Sequence, residues 1–227
     1  MADRQQLACD VFTVDLNQIT VGEVHEECYE TMGRCTCRVV CVGRLRKLWV
    51  LIMAKILLIY STTDGQTEKI CYRLQKVIEQ QGHQVTLCSI TDCSRIGLQS
   101  FDKIVIGASI RYGKHSPLVT DFVNRNKKLL DSKPNAFFSV NVVARKPDKN
   151  RPEGNPYLQK FLKRISWQPR ELAVFAGRID YPSYGVIDRM MIRLIMWMTK
   201  GPTDPKSVTE FTDWQKVEEF GRLIGKM

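Results

Sequence analysis

A chain of 227 residues and 26.2 kDa has room for one domain of ordinary size with an appendage, and excludes two full domains. Its residues are 44% hydrophobic and 26% charged, the balance of a globular chain, and the longest apolar stretch, residues 48–60, is broken by Lys55 and followed by Ser61, Thr62 and Thr63, which excludes a spanning helix there. The net charge of +10 is unevenly placed: six Lys or Arg stand against seven Asp or Glu before Met53 and 28 against 17 from Met53 on, so the main part calls for an acidic partner, whether nucleic acid, an anionic membrane surface, or carboxylate or phosphate ligands.

Residues 1–52 show no sustained helical or alternating period. Their five cysteines (Cys9, Cys28, Cys35, Cys37 and Cys41) and the three that follow (Cys71, Cys88 and Cys93) form no closed disulfide set, and Cys35-Thr36-Cys37 with Cys41 is only a weak metal pattern. Arg44, Arg46 and Lys47 ahead of Leu48 lie too deep in the chain, and lack a small-residue cleavage site, for a signal peptide. Met53 reads as a natural start. The first 52 residues are either a poorly ordered appendage or upstream sequence behind a wrongly assigned start codon, and the abrupt change of texture favours the second.

From Met53 on, strand and helix signals alternate. Ile56-Leu57-Leu58-Ile59-Tyr60 is a short apolar run of the kind buried on both faces of a parallel sheet. In 67–81, Ile70, Leu74, Val77 and Ile78 form the stripe of an amphipathic helix that Gly82 ends. A second strand is predicted over 85–90 and a third over 101–108, then a helix over 117–130, a fourth strand over 136–143, a helix over 156–165, a fifth strand over 172–179 and a last helix over 212–224. This alternation implies right-handed crossovers and a doubly wound, five-stranded parallel sheet of order 2-1-3-4-5, with ligands at the carboxyl ends of its strands.

The turn after the first strand, Ser61-Thr62-Thr63-Asp64-Gly65-Gln66-Thr67, opens directly into a helix. Hydroxyls gathered where free backbone N–H groups and the positive end of the helix dipole point outward make a phosphate site. The loop has neither the Lys of a Walker A motif nor the glycine pattern of dinucleotide binders, so the phosphate belongs to a small bound cofactor rather than to a nucleoside triphosphate. An ordinary N-cap would account for one hydroxyl residue, not four in seven positions.

With Leu58-Ile59-Tyr60, Thr62, Gly65 and Thr67 in place, the sequence resembles the flavodoxin family; Cys71, where a small Ala is usual, is a mild departure. The resemblance implies FMN, with Ser61, Thr62, Thr63, Asp64, Gly65, Gln66 and Thr67 around its phosphate and the Asp64 carboxylate turned away from it. It also implies two further flavin loops, one from Ser109, Ile110, Arg111, Tyr112 and Gly113, the other from Val140, Asn141 and Val142. Tyr112 would stack on the ring and Gly113 would let the backbone approach it.

Carrier flavodoxins are acidic as a family, and the surplus of eleven positive charges here is the opposite. The segments Gly177–Tyr184 and Asp188–Gly201, with the loops above, are similar to the menaquinone-dependent protoporphyrinogen oxidases of the flavodoxin-like class, over essentially all of 53–227 and none of 1–52. That resemblance implies oxidation of protoporphyrinogen IX to protoporphyrin IX in three two-electron steps, with menaquinone or ubiquinone as acceptor. It places the protein peripherally on the cytoplasmic face of a bacterial inner membrane and leaves association between copies open. A long-chain insertion over about 181–201 would set Arg189, Arg193 and Lys200 along one side of a helix whose remainder is apolar, a surface for an anionic membrane or a flat carboxylated ligand. Arg111, Arg178, Arg189 and Arg193 are the first candidates for the substrate's propionates, and His115, the one histidine near the flavin loops, is the candidate for proton transfer. No metal is expected, and the basic charge comes with no nucleic-acid motif. The rival readings are a non-catalytic electron carrier and an NAD(P)H:quinone reductase.

Overall fold

The computed structural model describes residues 53–93, 96–199 and 201–227. The 1–52 segment and Lys200, with the readings attached to them, lie outside the described residues.

Strand β1 (Lys55–Ser61) is an inner strand of the sheet. It pairs in parallel with β2 (Gln84–Ser89) on one side and β3 (Lys103–Arg111) on the other, with Ile56 opposite both Val85 and Lys103. A short strand β4 (Lys114–His115) folds back on the end of β3, while β5 (Asn135–Val140) and β6 (Glu171–Phe175) extend the sheet. The parallel strands therefore run β2-β1-β3-β5-β6, the doubly wound order expected, with β4 as an addition.

The apolar run of β1 is continuous because both of its faces are covered. Leu57 and Ile59 enter one core with Val119 and Val123 of α2 (Pro117–Arg125) and Leu158 and Phe161 of α4 (Pro156–Leu162). Ile56 and Leu58 enter the other, with Ile70, Leu74 and Ile78 of α1 (Gln66–Glu79) and Val217, Phe220 and Ile224 of α6 (Trp214–Lys226). Strand side chains alternate and helix stripes recur every three to four residues, so each helix lies on the strands with its apolar side down. At the carboxyl end of α6, the Lys103 ammonium donates to the Ile224 and Gly225 carbonyls at 3.1 and 2.7 Å and satisfies acceptors the helix cannot.

The chain departs from the expected elements at four places. β3 starts at Lys103 and runs on to Arg111, because Tyr112 and Gly113, at φ 49° and 74°, form a two-residue turn that returns into β4. The helix expected over 117–130 breaks at Asn126 into α2 and α3 (Lys127–Ser132). The Asn126 amide donates to the Phe122 carbonyl at 2.8 Å, the local competition that makes Asn a poor helix interior. β5 stops at Val140, where the Asn141 side chain accepts from the Ala144 N–H at 3.0 Å and caps a 3-10 turn. The strand expected over 172–179 divides: β6 ends at Phe175, and β7 (Arg178–Asp180) leaves to pair antiparallel with β8 (Val208–Glu210), a short polar strand no periodicity marks.

Between β7 and β8 lies α5 (Val186–Met198), of which Met196 alone is fully buried, packed with Ile179, Tyr181 and Tyr184. Among the described residues no helix is long and apolar enough to cross a membrane.

Candidate functional site

The residues between β1 and α1 make a cradle. Gly65 caps α1 at φ 76°, a conformation that costs a side chain about 1 kcal/mol, and no side chain caps the helix start. The hydroxyls of Thr62 and Thr67 are buried and have no partner. A buried hydroxyl left unpaired costs about 1–3 kcal/mol, so two of them beside an uncapped helix N-terminus fit an anionic group that accepts from both. Gln66 does not join them: its amide turns away to Glu210 and Thr212 at 3.0 and 2.8 Å and ties α1 to the strand after the insertion. Ser61 is the last residue of β1, and Thr63 reaches the Ser109 hydroxyl at 3.3 Å, joining the first loop to the second.

Beside this cradle is a cleft of about 440 Å³. Asp64 lines it from the first loop, Ile110 through Gly113 from the second, Asn141, Val142 and Val143 from the third, and Met191, Ile192, Ile195 and Met196 from α5; Tyr157, Arg178, Ile179 and Tyr184 complete it. Val140 adds no side chain, being buried with Phe138 and Phe175 beneath the sheet. Apolar walls with a few polar groups at a strand-end crevice are what a planar aromatic ligand takes. Asp64 directs its carboxylate to Arg111, with Nη1 to Oδ1 at 2.9 Å. The other end of Arg111 donates to Asp188 on α5, which also accepts from the Tyr112 hydroxyl. The Tyr112 hydrogen bond first, and then Arg111, hold Asp188 below the usual carboxylate range against the opposing effect of desolvation.

Of the expected propionate partners, Arg111 and Arg178 line the cleft and Arg189 and Arg193 do not. Arg189 donates to the carbonyls of Tyr181 at 3.0 Å, Pro182 at 3.3 Å and Tyr184 at 3.0 Å, and Arg193 to that of Thr203 at 3.0 Å, so both serve the insertion's own backbone. Arg178 pairs with Asp180 at 2.7 Å and keeps a buried, unpartnered Nε. His115 also stands away from the cleft, between Phe137 and Phe161 and 3.0 Å from the Ser139 hydroxyl. Burial lowers its pKa to about 4 and keeps it neutral. Asp188, Tyr157 and Tyr184 were not singled out by sequence; an acid in the first turn of a helix is ordinary, and only the fold brings it to Arg111.

A flavodoxin domain matches residues 57–206. Over 173 residues the chain is 41% identical to the protoporphyrinogen IX dehydrogenase [quinone] of Escherichia coli (strain K12), covering 76% of this chain and 96% of that protein. It belongs to that family. The protein of the same name from Leishmania major is 40% identical over 167 residues, 73% of this chain and 72% of its own. Among solved structures, flavodoxin 2 of Bacillus cereus is 18% identical with a TM-score of 0.44, covering 76% of this chain and 99% of that one. Family membership agrees with the doubly wound order of the sheet.

Proposed function

We propose that this protein is an FMN-dependent protoporphyrinogen IX dehydrogenase that passes its electrons to a quinone, with menaquinone the acceptor we favour. The observation that carries the reading is the single cleft shared by the three loops after β1, β3 and β5 and by helix α5, beside the unpartnered hydroxyls of Thr62 and Thr67. The identity to protoporphyrinogen IX dehydrogenases spans nearly the whole of the Escherichia coli protein and supports the same substrate. A bound flavin supplies two-electron acceptance, and three rounds account for the six electrons between porphyrinogen and porphyrin.

The chain's own residues bind and orient. Thr62, Thr67 and the free N–H groups of the α1 start hold the phosphate, and Gly65 lets the backbone close on it. The Tyr112–Gly113 turn brings backbone and an aromatic ring to the cleft. The methionines and isoleucines of α5 form an adaptable apolar wall for a large flat ring, and Arg111 and Arg178 offer guanidinium groups to its carboxylates.

The same reading places the protein peripherally on an anionic membrane surface. Val186, Ile187, Met190, Leu194, Trp197 and Met198 are between 51% and 78% exposed along α5. At about 20 Å, a thirteen-residue helix is too short to span and long enough to lie in the interface, where a lipid-soluble quinone is found.

Anaerobic turnover tests the function: protein reconstituted with FMN is given protoporphyrinogen IX and a menaquinone analogue, with porphyrin fluorescence followed against a control lacking quinone. Quinone-dependent porphyrin formation is expected. Tight FMN binding with no turnover would favour an electron carrier.

A further inference from the structure

Arg111 is the cation best placed for a ligand carboxylate, and it is already engaged. One nitrogen donates to Asp64 of the first loop at 2.9 Å, the other to Asp188 in the first turn of α5. Both oxygens of Asp188 are used, one by Arg111 and one by the Tyr112 hydroxyl. Tyr112 itself stands at φ 49°, a conformation side chains rarely adopt, so the turn that carries both partners is held in an uncommon shape. Val186 and Ile187 next to Asp188 are 74% and 78% exposed, and Arg189 binds carbonyls of the turn just before the helix, which leaves Asp188 as the polar group that ties the start of α5 to the β3–β4 turn.

We propose that Asp188 is an internal stand-in for a ligand carboxylate: an incoming propionate takes its place on Arg111 and frees the first turn of α5 from the β3–β4 turn. Asp188, not Asp64, is the group exchanged. Asp64 belongs to the loop that closes on the cofactor phosphate, whereas α5 has one fully buried side chain, Met196, and that lies more than two turns from Asp188. The exchange keeps the charge count at Arg111 constant, since one carboxylate replaces another. Admission then requires a carboxylate on the ligand and discriminates against esters and neutral rings of the same shape. Asp188 acts on substrate through Arg111 and is a positioning residue. The proposal rests on the porphyrin reading of the cleft.

The test is equilibrium binding of protoporphyrin IX and of its dimethyl ester to the FMN-loaded full chain, in the wild type, Asp188→Asn and Arg111→Gln. Asparagine keeps the size and a partner for Tyr112 while removing the competing charge. A partly exposed ion pair is worth little, so Asp188→Asn should tighten protoporphyrin IX by roughly two- to fivefold and leave the ester unchanged. Arg111→Gln should weaken the acid and erase its advantage over the ester. Equal affinity of wild type and Asp188→Asn for protoporphyrin IX, or equal tightening of acid and ester, overturns the exchange while leaving the porphyrin reading intact. No binding of either porphyrin by the wild type overturns both.

Discussion

The loop after β1 and helix α5 meet at one cleft and are built in opposite ways. The loop springs from a strand whose residues 56–59 are wholly buried, and its Thr62 hydroxyl, with that of Thr67 at the helix start, is sealed from water without a partner. The helix shows most of its apolar side chains to solvent and fastens itself with arginines on backbone carbonyls and one aspartate on Arg111. Pre-formed, unpaired donors in a rigid frame suit a ligand that stays, whereas an adaptable apolar wall on a lightly held element suits ligands that enter and leave.

Substitutions at the two regions should differ in size and kind. Leu58→Ala, between α1 and α6, should remove about 2–5 kcal/mol in denaturant unfolding, because the cavity cannot collapse between two packed layers. Acid should act in part through His115. The unfolded imidazole takes up a proton near pH 6.5 and the folded one only near 4, so the unfolded chain holds more protons across that window and stability falls as pH drops through it, by up to about 3 kcal/mol. His115→Gln should flatten that part of a pH–stability profile, and an unchanged slope would contradict the account.

Thr67→Val should weaken FMN by about 1.5–3 kcal/mol in a fluorescence titration, the worth of a hydrogen bond to a charged group, while leaving the cofactor-free protein no less stable, because the hydroxyl it removes has no partner there. Gly65→Ala meets no atom within 4 Å but must hold φ 76°, so it should cost about 1 kcal/mol in folding by backbone strain alone. Leu194→Ser, on the open side of α5, should change stability by no more than about 0.5 kcal/mol and still reduce co-sedimentation with anionic vesicles.

The sheet order and the cradle were legible because each depends on neighbours in the chain: alternation fixes which faces of β1 are covered, and hydroxyls at a helix start carry their own chemistry. The partition of the arginines was not. Arg189 and Arg193 fall on one side of a helix exactly as spacing requires, but a side chain of that length chooses between a ligand and the nearest carbonyl only in the folded insertion. The exit of β7 from the main sheet was hidden for a similar reason. Its partner β8 begins 28 residues after β7 ends, with Asp180 opposite Val208, and three residues of Val-Thr-Glu carry no period. His115 follows the second loop in the chain, yet its direction is set by Phe137 and Phe161 from two other elements.

The most direct measurement compares FMN affinity with quinone-dependent turnover on vesicles in two variants, Thr67→Val and Trp197→Ser. The division of labour predicts that Thr67→Val loses FMN affinity and recovers turnover when FMN is in excess, while Trp197→Ser keeps wild-type FMN affinity and loses turnover that no excess of FMN restores. A Trp197→Ser protein that loses FMN as Thr67→Val does, or that turns over at the wild-type rate, would contradict it.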